Sequence, residues 1–285
     1  MELITREIPV KSRSDFFRIY MLYDWHVGPP GCDYDLLEKQ VNTVLNDDHG
    51  YCILGGDLND AIPKHDRRHD SANIDQRFQE PNNVVGSQYR YISNLIKSLA
   101  EEKKILSNIQ GTHERKYALE TDYDISRMLC EAYDIPYGGF SCAIYLRFKR
   151  GPTTRQLLIH AIHGHRGGTT KGGKANALEH QAQNVEGCDL YIRGHGHQKL
   201  IMPDETVGVR TDGVSGLREY KRKVWKGSSG AYLRTLTAGV TSYSESAEYK
   251  PTDLGCIYAE VQPFAYVINN GKENTKLKLE LRDLL

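Results

Sequence analysis

The chain has 285 residues, of which 39% are hydrophobic and 26% charged, proportions typical of an ordinary soluble globular protein. Its 37 basic and 37 acidic residues give a formal net charge of zero, which excludes a highly basic nucleic-acid coat and an acidic disordered tail. No apolar run approaches the ~18 residues of a membrane span, and the first residues lack the apolar core of a signal peptide. The six cysteines are scattered, without a CxxC pair, so we expect reduced thiols in a cytoplasmic protein that does not contact a membrane.

The first two-thirds of the chain alternates strand-like and helix-like segments. Apolar runs predict strands at residues 16–23, 51–54, 104–109, 142–148, 156–162 and 190–192. Helical spacing predicts helices at residues 34–45, 89–99, 122–133 and 174–185. Strands at residues 257–261 and 277–281 raise the β content towards the C-terminus, and the whole pattern predicts a layered α/β fold. Residues 61–83 form a long polar stretch without a period, which is typical of a functional or disordered loop.

Polar motifs follow five of the predicted strands, at the edge where open α/β folds bind ligands. The motifs are Asp24-Trp-His26, Gly55-Gly-Asp57-Leu-Asn-Asp60, Gly111-Thr-His113-Glu114, His163-Gly-His165 and Gly194-His195-Gly-His197. Imidazole and carboxylate groups together suit Zn, Mn, Fe or Co. If Asp24-x-His26 is extended, both of its side chains lie on one side of the chain and can reach one ion.

The number of candidate ligands favours two metal ions over one. Six side chains are candidates: Asp24, His26, Asp57, His163, His195 and His197. That set exceeds the needs of one tetrahedral ion and fits two ions about 3.5–4 Å apart, an arrangement used for in-line phosphoryl displacement. A surface loop or a structural histidine would explain any one motif, but five motifs that each follow a strand favour a metal site.

The order of these motifs resembles the calcineurin-like metallophosphoesterase superfamily, whose pattern is DxH, GDxxD, GNH(D/E), H and GHxH. The match covers residues 16–197, and the general look of the chain is similar to phage and prokaryotic members. The resemblance implies one domain over residues 1–285, built as a four-layer α-β-β-α sandwich of two mixed β-sheets flanked by helices. It also implies a dinuclear metal site at the C-terminal edge of the strands. Residues 198–285, which match only in being β-rich, would complete the second sheet.

The resemblance also implies a role for each matching residue. The first ion would be held by Asp24, His26 and His197, the second by His163 and His195, and both by a bridging Asp57. His163 is favoured over His165 because it directly follows a predicted strand. His113 would protonate the leaving oxygen or bind the phosphate, and Asp60 would orient His113.

One residue departs from the family pattern. Thr112 stands where the family has an Asn that binds the second ion, and a Thr hydroxyl is a weaker and less common ligand. Three outcomes are open at this position. Thr112 coordinates directly, the second site is weak or empty, or a replacement ligand takes over: water, Asn59, Asn108 or Glu114.

The implied reaction is hydrolysis of a phosphoester by water that two divalent ions activate, with Mn expected and Zn, Fe or Co also suitable. Protein phosphatases of the family carry Arg after the second-motif Asp and lack GHxH, whereas this chain has Ala61 and Gly194-His195-Gly-His197. The resemblance therefore favours a phosphodiesterase or nuclease. A phosphomonoesterase of the same fold and a catalytically weak scaffold that binds partners are the alternatives.

Three basic segments are candidate contacts for the phosphates of a nucleic-acid or nucleotide substrate. The stretch 61–83 carries Lys64, His65, Arg67, Arg68 and His69, which could bind phosphates or lie on a solvated loop balanced by aspartates. Residues 166–174 are glycine-rich and basic, as in a phosphate-contacting lid. Residues 218–226 interleave basic residues with Tyr220 and Trp225, which fits either stacking on a nucleic acid or a strand with one charged face. The sequence does not indicate an oligomeric state.

Overall fold

A computed structural model describes residues 1–66, 69–80, 82–165, 168, 170–211, 216–237, 239, 245, 249–269 and 272–284. Within those residues the chain forms two β-sheets and five α-helices. Three of the candidate phosphate contacts, Arg67, Arg68 and Arg166, lie outside the described residues. None of the helices in the described ranges is long and apolar enough to cross a membrane.

The five-stranded sheet carries three of the motif-bearing strands. In chain order its members are β2 (Phe17–Leu22), β3 (Gly50–Leu54), β4 (Ile105–Asn108), β10 (Ile257–Asn269) and β11 (Lys272–Asp283). Their spatial order is β11-β10-β2-β3-β4. β2, β3 and β4 run parallel, whereas β10 is antiparallel to both β2 and β11, so the sheet is mixed.

The six-stranded sheet carries the other two motif-bearing strands. Its members are β1 (Glu2–Pro9), β5 (Ser141–Arg150), β6 (Thr153–Ile162), β7 (Leu190–Arg193), β8 (Leu200–Thr211) and β9 (Leu217–Ser228). Their spatial order is β1-β5-β6-β7-β9-β8. The β5–β6 and β8–β9 pairs are antiparallel and the other neighbours are parallel, so this sheet is also mixed.

Helices cover the outer face of each sheet. α1 (Tyr34–Asn46), α2 (Val84–Glu101) and α4 (Ile125–Tyr133) share a hydrophobic core with the five-stranded sheet. α5 (Lys171–Asn184) packs on β7 and β9 of the six-stranded sheet, and the short α3 (Thr112–Thr121) contacts α4. The prediction of a four-layer α-β-β-α sandwich with two mixed sheets is therefore confirmed.

The strand β2 shows why the motif-bearing strands read as continuous apolar runs. Ile19 and Met21 belong to the core between the two sheets, whereas Tyr20 and Leu22 belong to the core beneath the helices. Both faces of the strand are thus buried, as is usual for parallel strands covered on both sides. Each such side chain contributes about 1.5–3 kcal/mol by burial, which fixes the strand end that carries the first motif.

The C-terminal third differs from the expectation that residues 198–285 complete the second sheet. β8 and β9 join the six-stranded sheet, whereas β10 and β11 join the five-stranded one. Only Leu190–Arg193 of β7 pairs with β9, so the outer part of β8 and β9 is a two-stranded ribbon. Whether the whole chain is one domain stays a prediction.

The basic stretch at residues 218–226 lies on β9 and alternates between faces. Arg222 pairs with Asp189 at 3.0 Å, and Lys226 pairs with Asp204 at 2.8 Å. Trp225 is buried in the core between the sheets. These ion pairs favour the interpretation of the stretch as a strand with one charged face.

Candidate metal centre

The five motifs meet at one edge of the sandwich because their strands end there. Asp24 follows β2, Asp57 follows β3 and Thr112 follows β4, while His163 follows β6 and His195 follows β7. Backbone hydrogen bonds join the loops: the Asp24 amide donates to the Gly56 carbonyl at 3.0 Å, and the Gly194 amide donates to the His163 carbonyl at 3.1 Å.

The candidate ligands adopt a backbone conformation that the sequence did not indicate. Five of them have positive φ: Asp24 at 54°, His26 at 48°, Asp57 at 49°, His195 at 62° and His197 at 51°. Non-glycine residues rarely adopt this left-handed region, and each instance costs about 1–3 kcal/mol. The expectation that Asp24-x-His26 is extended is therefore wrong. The two side chains converge because the loop turns at both residues.

Two of the three clusters of possible ligand atoms together contain the six candidates. The first cluster comprises Asp24, His26 and His197, whose ligand atoms lie within 4.8 Å of one another. His197 Nε2 is 3.5 Å from Asp24 Oδ1 and 3.0 Å from His26 Nε2. The loop after β2 and the loop after β7 thus bring an oxygen and two nitrogen atoms close together.

The second cluster comprises Asp57, His163 and His195. His163 Nε2 lies 3.0 Å from Asp57 Oδ2, and its Nδ1 donates to the Gly55 carbonyl at 2.9 Å. That bond fixes the tautomer that directs Nε2 into the cluster. His163 Nε2 is also 3.9 Å from Asp24 Oδ1, which places the two clusters side by side. His165 is exposed and belongs to neither cluster.

Buried atoms without partners show that the clusters fit metal ions. Among the described residues, Asp24 Oδ1 and His163 Nε2 are buried and form no well-aligned hydrogen bond, although His163 Nε2 lies 3.0 Å from Asp57 Oδ2. A buried carboxylate oxygen left without a partner is costly, so such atoms are rarely found without an unseen ligand. A divalent cation would satisfy both atoms, and the mixed nitrogen and oxygen donors suit Mn, Zn, Fe or Co alike.

The same groups perturb each other's ionisation. Burial acts to raise the pKa of Asp57, but the imidazoles of His163 and His113 outweigh it and hold that pKa well below its ordinary value. Burial acts to lower the pKa of His163, yet Asp57 and Asp24 raise it to about 10. Burial lowers the pKa of His195 to about 4, which keeps this imidazole neutral.

A third cluster of His26, Asp60 and His113 adjoins the first. His113 lies in the first turn of α3, with its ring edge-on to that of His26 at a centroid distance of 4.8 Å. His113 Nδ1 hydrogen-bonds the backbone carbonyl of Asp60, whereas Asp60 Oδ1 is 3.6 Å away. The orientation of His113 thus comes mainly from the Asp60 carbonyl, where we expected the carboxylate.

Thr112 contacts the expected bridging residue. Its hydroxyl donates to Asp57 Oδ2 at 2.9 Å, and the next amide, of His113, donates to Asp57 Oδ1 at 2.8 Å. Asn108 donates instead to the Ser126 carbonyl at 3.2 Å, on the side of α4. The hydroxyl of Thr112 therefore lies beside the oxygen that faces His163.

Glu114 is a site residue whose role the sequence did not predict. Its Oε2 accepts from the amides of Asp57 at 2.9 Å and Gly111 at 3.1 Å, and its Oε1 accepts from the Asn59 amide at 3.0 Å. Glu114 thereby holds the loop of the bridging aspartate against α3. Burial and the Asp57 carboxylate raise the pKa of Glu114 to about 7. The spacing of Gly111 and Glu114, that of a capping box, is the signal that could have revealed it.

Tyr23 explains two of the motif glycines. A Cβ added at Gly55 would lie 2.0 Å from the Tyr23 ring, and one added at Gly194 would lie 2.4 Å from it. The ring therefore packs directly under both loops, and any side chain there would displace the ligands that follow.

The described part of the 61–83 stretch is fastened to α3. Asp66 is buried and pairs with Lys116 at 2.6 Å, and His65 pairs with Glu120 at 3.0 Å. Lys64 donates to the Asn82 side chain at 2.8 Å, within the stretch itself. These polar side chains anchor the loop, so they do not support the phosphate-binding interpretation.

No family model matches the chain, and no curated protein matches it significantly. One similar solved structure is a conserved uncharacterised protein of Streptococcus pneumoniae, described as a predicted phosphoesterase. It is 12% identical with a TM-score of 0.34, covering 94% of this chain and 99% of that one. Another is Vps29 of Chaetomium thermophilum, 14% identical with a TM-score of 0.33, covering 93% of this chain and 94% of that one. The ordered motifs, the two-sheet α-β-β-α sandwich and the clustered candidate ligands of this chain resemble those of calcineurin-like metallophosphoesterases.

Proposed function

We propose that the protein is a metal-dependent phosphodiesterase that hydrolyses nucleic acid or a nucleotide. The observation that supports this most is the meeting of two ligand clusters at the buried, unpartnered Asp24 Oδ1, with His113 beside them. We propose that Asp24, His26 and His197 hold one divalent ion, that His163, His195 and the hydroxyl of Thr112 help to hold a second, and that Asp57 bridges both.

Two such ions, with Mn expected, would lower the pKa of a bound water and neutralise charge on the phosphoryl oxygens. The protein prepares the site by fixing the bridging carboxylate. The Thr112 hydroxyl and the His113 amide each hold one oxygen of Asp57. Because these donors come from the start of α3, the carboxylate is oriented before any substrate binds.

We assign His113 as the general acid. Its Nδ1 is engaged by the Asp60 carbonyl, so the proton that reaches the leaving oxygen comes from Nε2. Asp60 Oδ1 lies 3.8 Å from His26 Nδ1 and 3.6 Å from His113 Nδ1, so this carboxylate faces both imidazoles. No covalent intermediate with the protein is required.

The surroundings of Ala61 favour diesters over monoesters. Ala61 is buried, and its amide donates to the Gln88 side chain at 3.1 Å. The position where protein phosphatases of the family carry Arg therefore offers no cation for the second charge of a terminal phosphate.

We also propose a cytoplasmic location, which the six buried cysteine thiols support.

A matched pair of histidine variants tests the function. His163→Ala should lose one of two bound ions and most of the Mn-dependent hydrolysis of bis-p-nitrophenyl phosphate, because it removes a buried ligand. His165→Ala, two residues away on the surface, should keep both ions and the full rate. Equal metal content and equal rates in the two variants would contradict the assignment.

A further inference from the structure

A lysine of α5 lies directly against the loop that carries two candidate ligands. Lys174 Nζ donates to the carbonyl of Gly196, the residue between His195 and His197. A Cβ added at Gly196 would lie 3.2 Å from Lys174 Cδ, so the aliphatic stem also packs on this loop. The ammonium group of Lys174 is therefore held at the border of the metal centre.

Two exposed lysines lie close to Lys174. Lys171 precedes it by three residues on α5 and so lies on the same face of the helix. Lys250 lies on a segment whose Asp253 amide donates to the His197 carbonyl at 2.9 Å. We call Lys171, Lys174 and Lys250 the lysine rim.

None of the lysines of the rim is paired directly with a carboxylate among the described residues. Among the described residues, none of the three forms an ion pair within 4.0 Å of a carboxylate. By contrast, Lys116, Lys199 and Lys226 each pair with an aspartate, at 2.6, 2.5 and 2.8 Å.

The members of the rim are within electrostatic reach of one another and of the site. Burial lowers the pKa of Lys174, and the positive charges of Lys250 and Lys171 lower it further. The carboxylates of Asp253 and Asp24 act in the opposite direction. Because the chain as a whole is neutral, this concentration of positive charge is a local feature of the site edge.

We propose that the lysine rim binds the backbone phosphates that flank the scissile phosphodiester in a nucleic-acid strand. This inference rests on the proposed function and names its substrate class. The two ions would serve the scissile group, so the additional positive charges match phosphates that a small diester lacks. The rim would then select strands over isolated dinucleotides.

Substrate length tests the rim. The substrates are a thymidine dinucleotide, with one phosphodiester, and a single-stranded thymidine oligonucleotide of about twelve nucleotides. The wild-type protein with Mn should show a higher kcat/KM on the longer strand. The double variant Lys171→Ala/Lys250→Ala should reduce that advantage about tenfold, since charge-assisted contacts to phosphate are among the stronger hydrogen bonds.

A second double variant, Lys39→Ala/Lys276→Ala, is the control for the loss of two positive charges from the protein as a whole. Both of its lysines are exposed, on α1 and β11, and the net charge changes equally. It should keep the length advantage. The salt dependence of strand affinity should fall in the rim variant by about 0.7 in logarithmic slope for each phosphate that the protein no longer neutralises. An unchanged length advantage in the rim variant, or an equal loss in the control, would overturn the proposal.

Binding without catalysis separates this inference from the proposed function. Fluorescence anisotropy of the labelled oligonucleotide in excess chelator should show weaker binding by the rim variant than by the control variant. If neither diester is hydrolysed, the proposed function fails while this binding difference still tests the rim. If hydrolysis occurs but binding and length preference are unaltered, only the rim is overturned.

Discussion

At the residue scale, we expect Thr112 to set the strength of the proposed second metal site. Its hydroxyl offers a neutral oxygen beside Asp57 Oδ2 and His163, where an amide oxygen would be a better ligand. Thr112→Asn should therefore tighten the binding of the second ion, and Thr112→Val should weaken it about tenfold, as loss of a supporting group does at metal sites. A titration of metal-free protein with Mn measures both. Identical affinities in all three proteins would contradict a role of Thr112 in holding the ion.

His113 is expected to act in proton transfer and not in metal binding. His113→Ala should lower kcat by about 10²–10⁴-fold while both ions remain bound. Asp60→Asn should cost much less, because the bond that orients His113 comes from the Asp60 backbone carbonyl, which the variant retains. Turnover and metal content measured on the same preparations decide. Unaltered turnover in His113→Ala would exclude the acid role.

The ionisation of His163 predicts how metal affinity depends on pH. Asp57 and Asp24 raise its pKa from 6.5 to about 10 against the effect of burial, so the metal-free protein carries an imidazolium at neutral pH. Because an imidazole must be neutral to bind an ion, metal binding should release a proton and strengthen as the pH rises towards that pKa. The raised pKa of His163 also stabilises the metal-free fold. This contribution to the free energy of unfolding is complete at a pH below 6.5, the pKa of an ordinary histidine, and is lost as the pH rises through about 10.

Calorimetry in buffers of different ionisation enthalpy measures this proton release. Binding enthalpies that are independent of the buffer would contradict the predicted protonation of His163. The variant His163→Ala provides the control, since it has no proton to release at this position.

At the scale of elements, α3 is the piece that joins the second and third motifs. Through Glu114 it holds the amides of Asp57, Gly111 and Asn59. Glu114→Gln replaces one acceptor oxygen by an NH₂ group, so at least one buried amide loses its partner. We expect a destabilisation of about 1–3 kcal/mol and weaker binding of metal.

Glu120→Gln, on the same helix, is the matched control. Glu120 pairs with His65 and Lys116 at a partly exposed position, so its loss should cost at most about 1 kcal/mol. Thermal unfolding of both variants gives the comparison. Equal stabilities would show that the three amide bonds of Glu114 do not hold the loop.

The strands and helices that bury many apolar side chains could be predicted from the sequence, whereas those that bury few could not. The strands β2, β3 and β7 were predictable because both of their faces are apolar and buried, which gives short continuous runs. The helix α3 was not, because Glu114 is its only buried residue and no apolar period exists. β1 was missed for a related reason: it is an edge strand in which Ile8 alone is buried.

At the scale of the whole molecule, the sequence predicted which residues gather but not how they are held. Their order along alternating strands and helices was enough to place Asp24, Asp57 and His163 at one edge, because parallel strands end together. The left-handed turns at the ligands and the packing of Tyr23 beneath two loops depend on contacts between distant segments. No local pattern reports such contacts.

The net charge of zero likewise did not reveal that ion-paired and unpaired basic side chains lie in different parts of the molecule. The basic ribbon of β8 and β9 is largely ion-paired, whereas the lysine rim beside the centre is not. The molecule thus places three lysines without a direct carboxylate partner among the described residues beside the candidate metal ligands, where a polyanion would meet them.

The central claim is that this site hydrolyses phosphodiesters with the help of bound metal. The most direct measurement compares bis-p-nitrophenyl phosphate with p-nitrophenyl phosphate on chelator-stripped protein resupplied with Mn. We predict no turnover without metal and, after Mn addition, faster hydrolysis of the diester than of the monoester. Faster hydrolysis of the monoester would contradict the diester assignment, and absence of turnover of both by metal-loaded protein would favour a partner-binding scaffold.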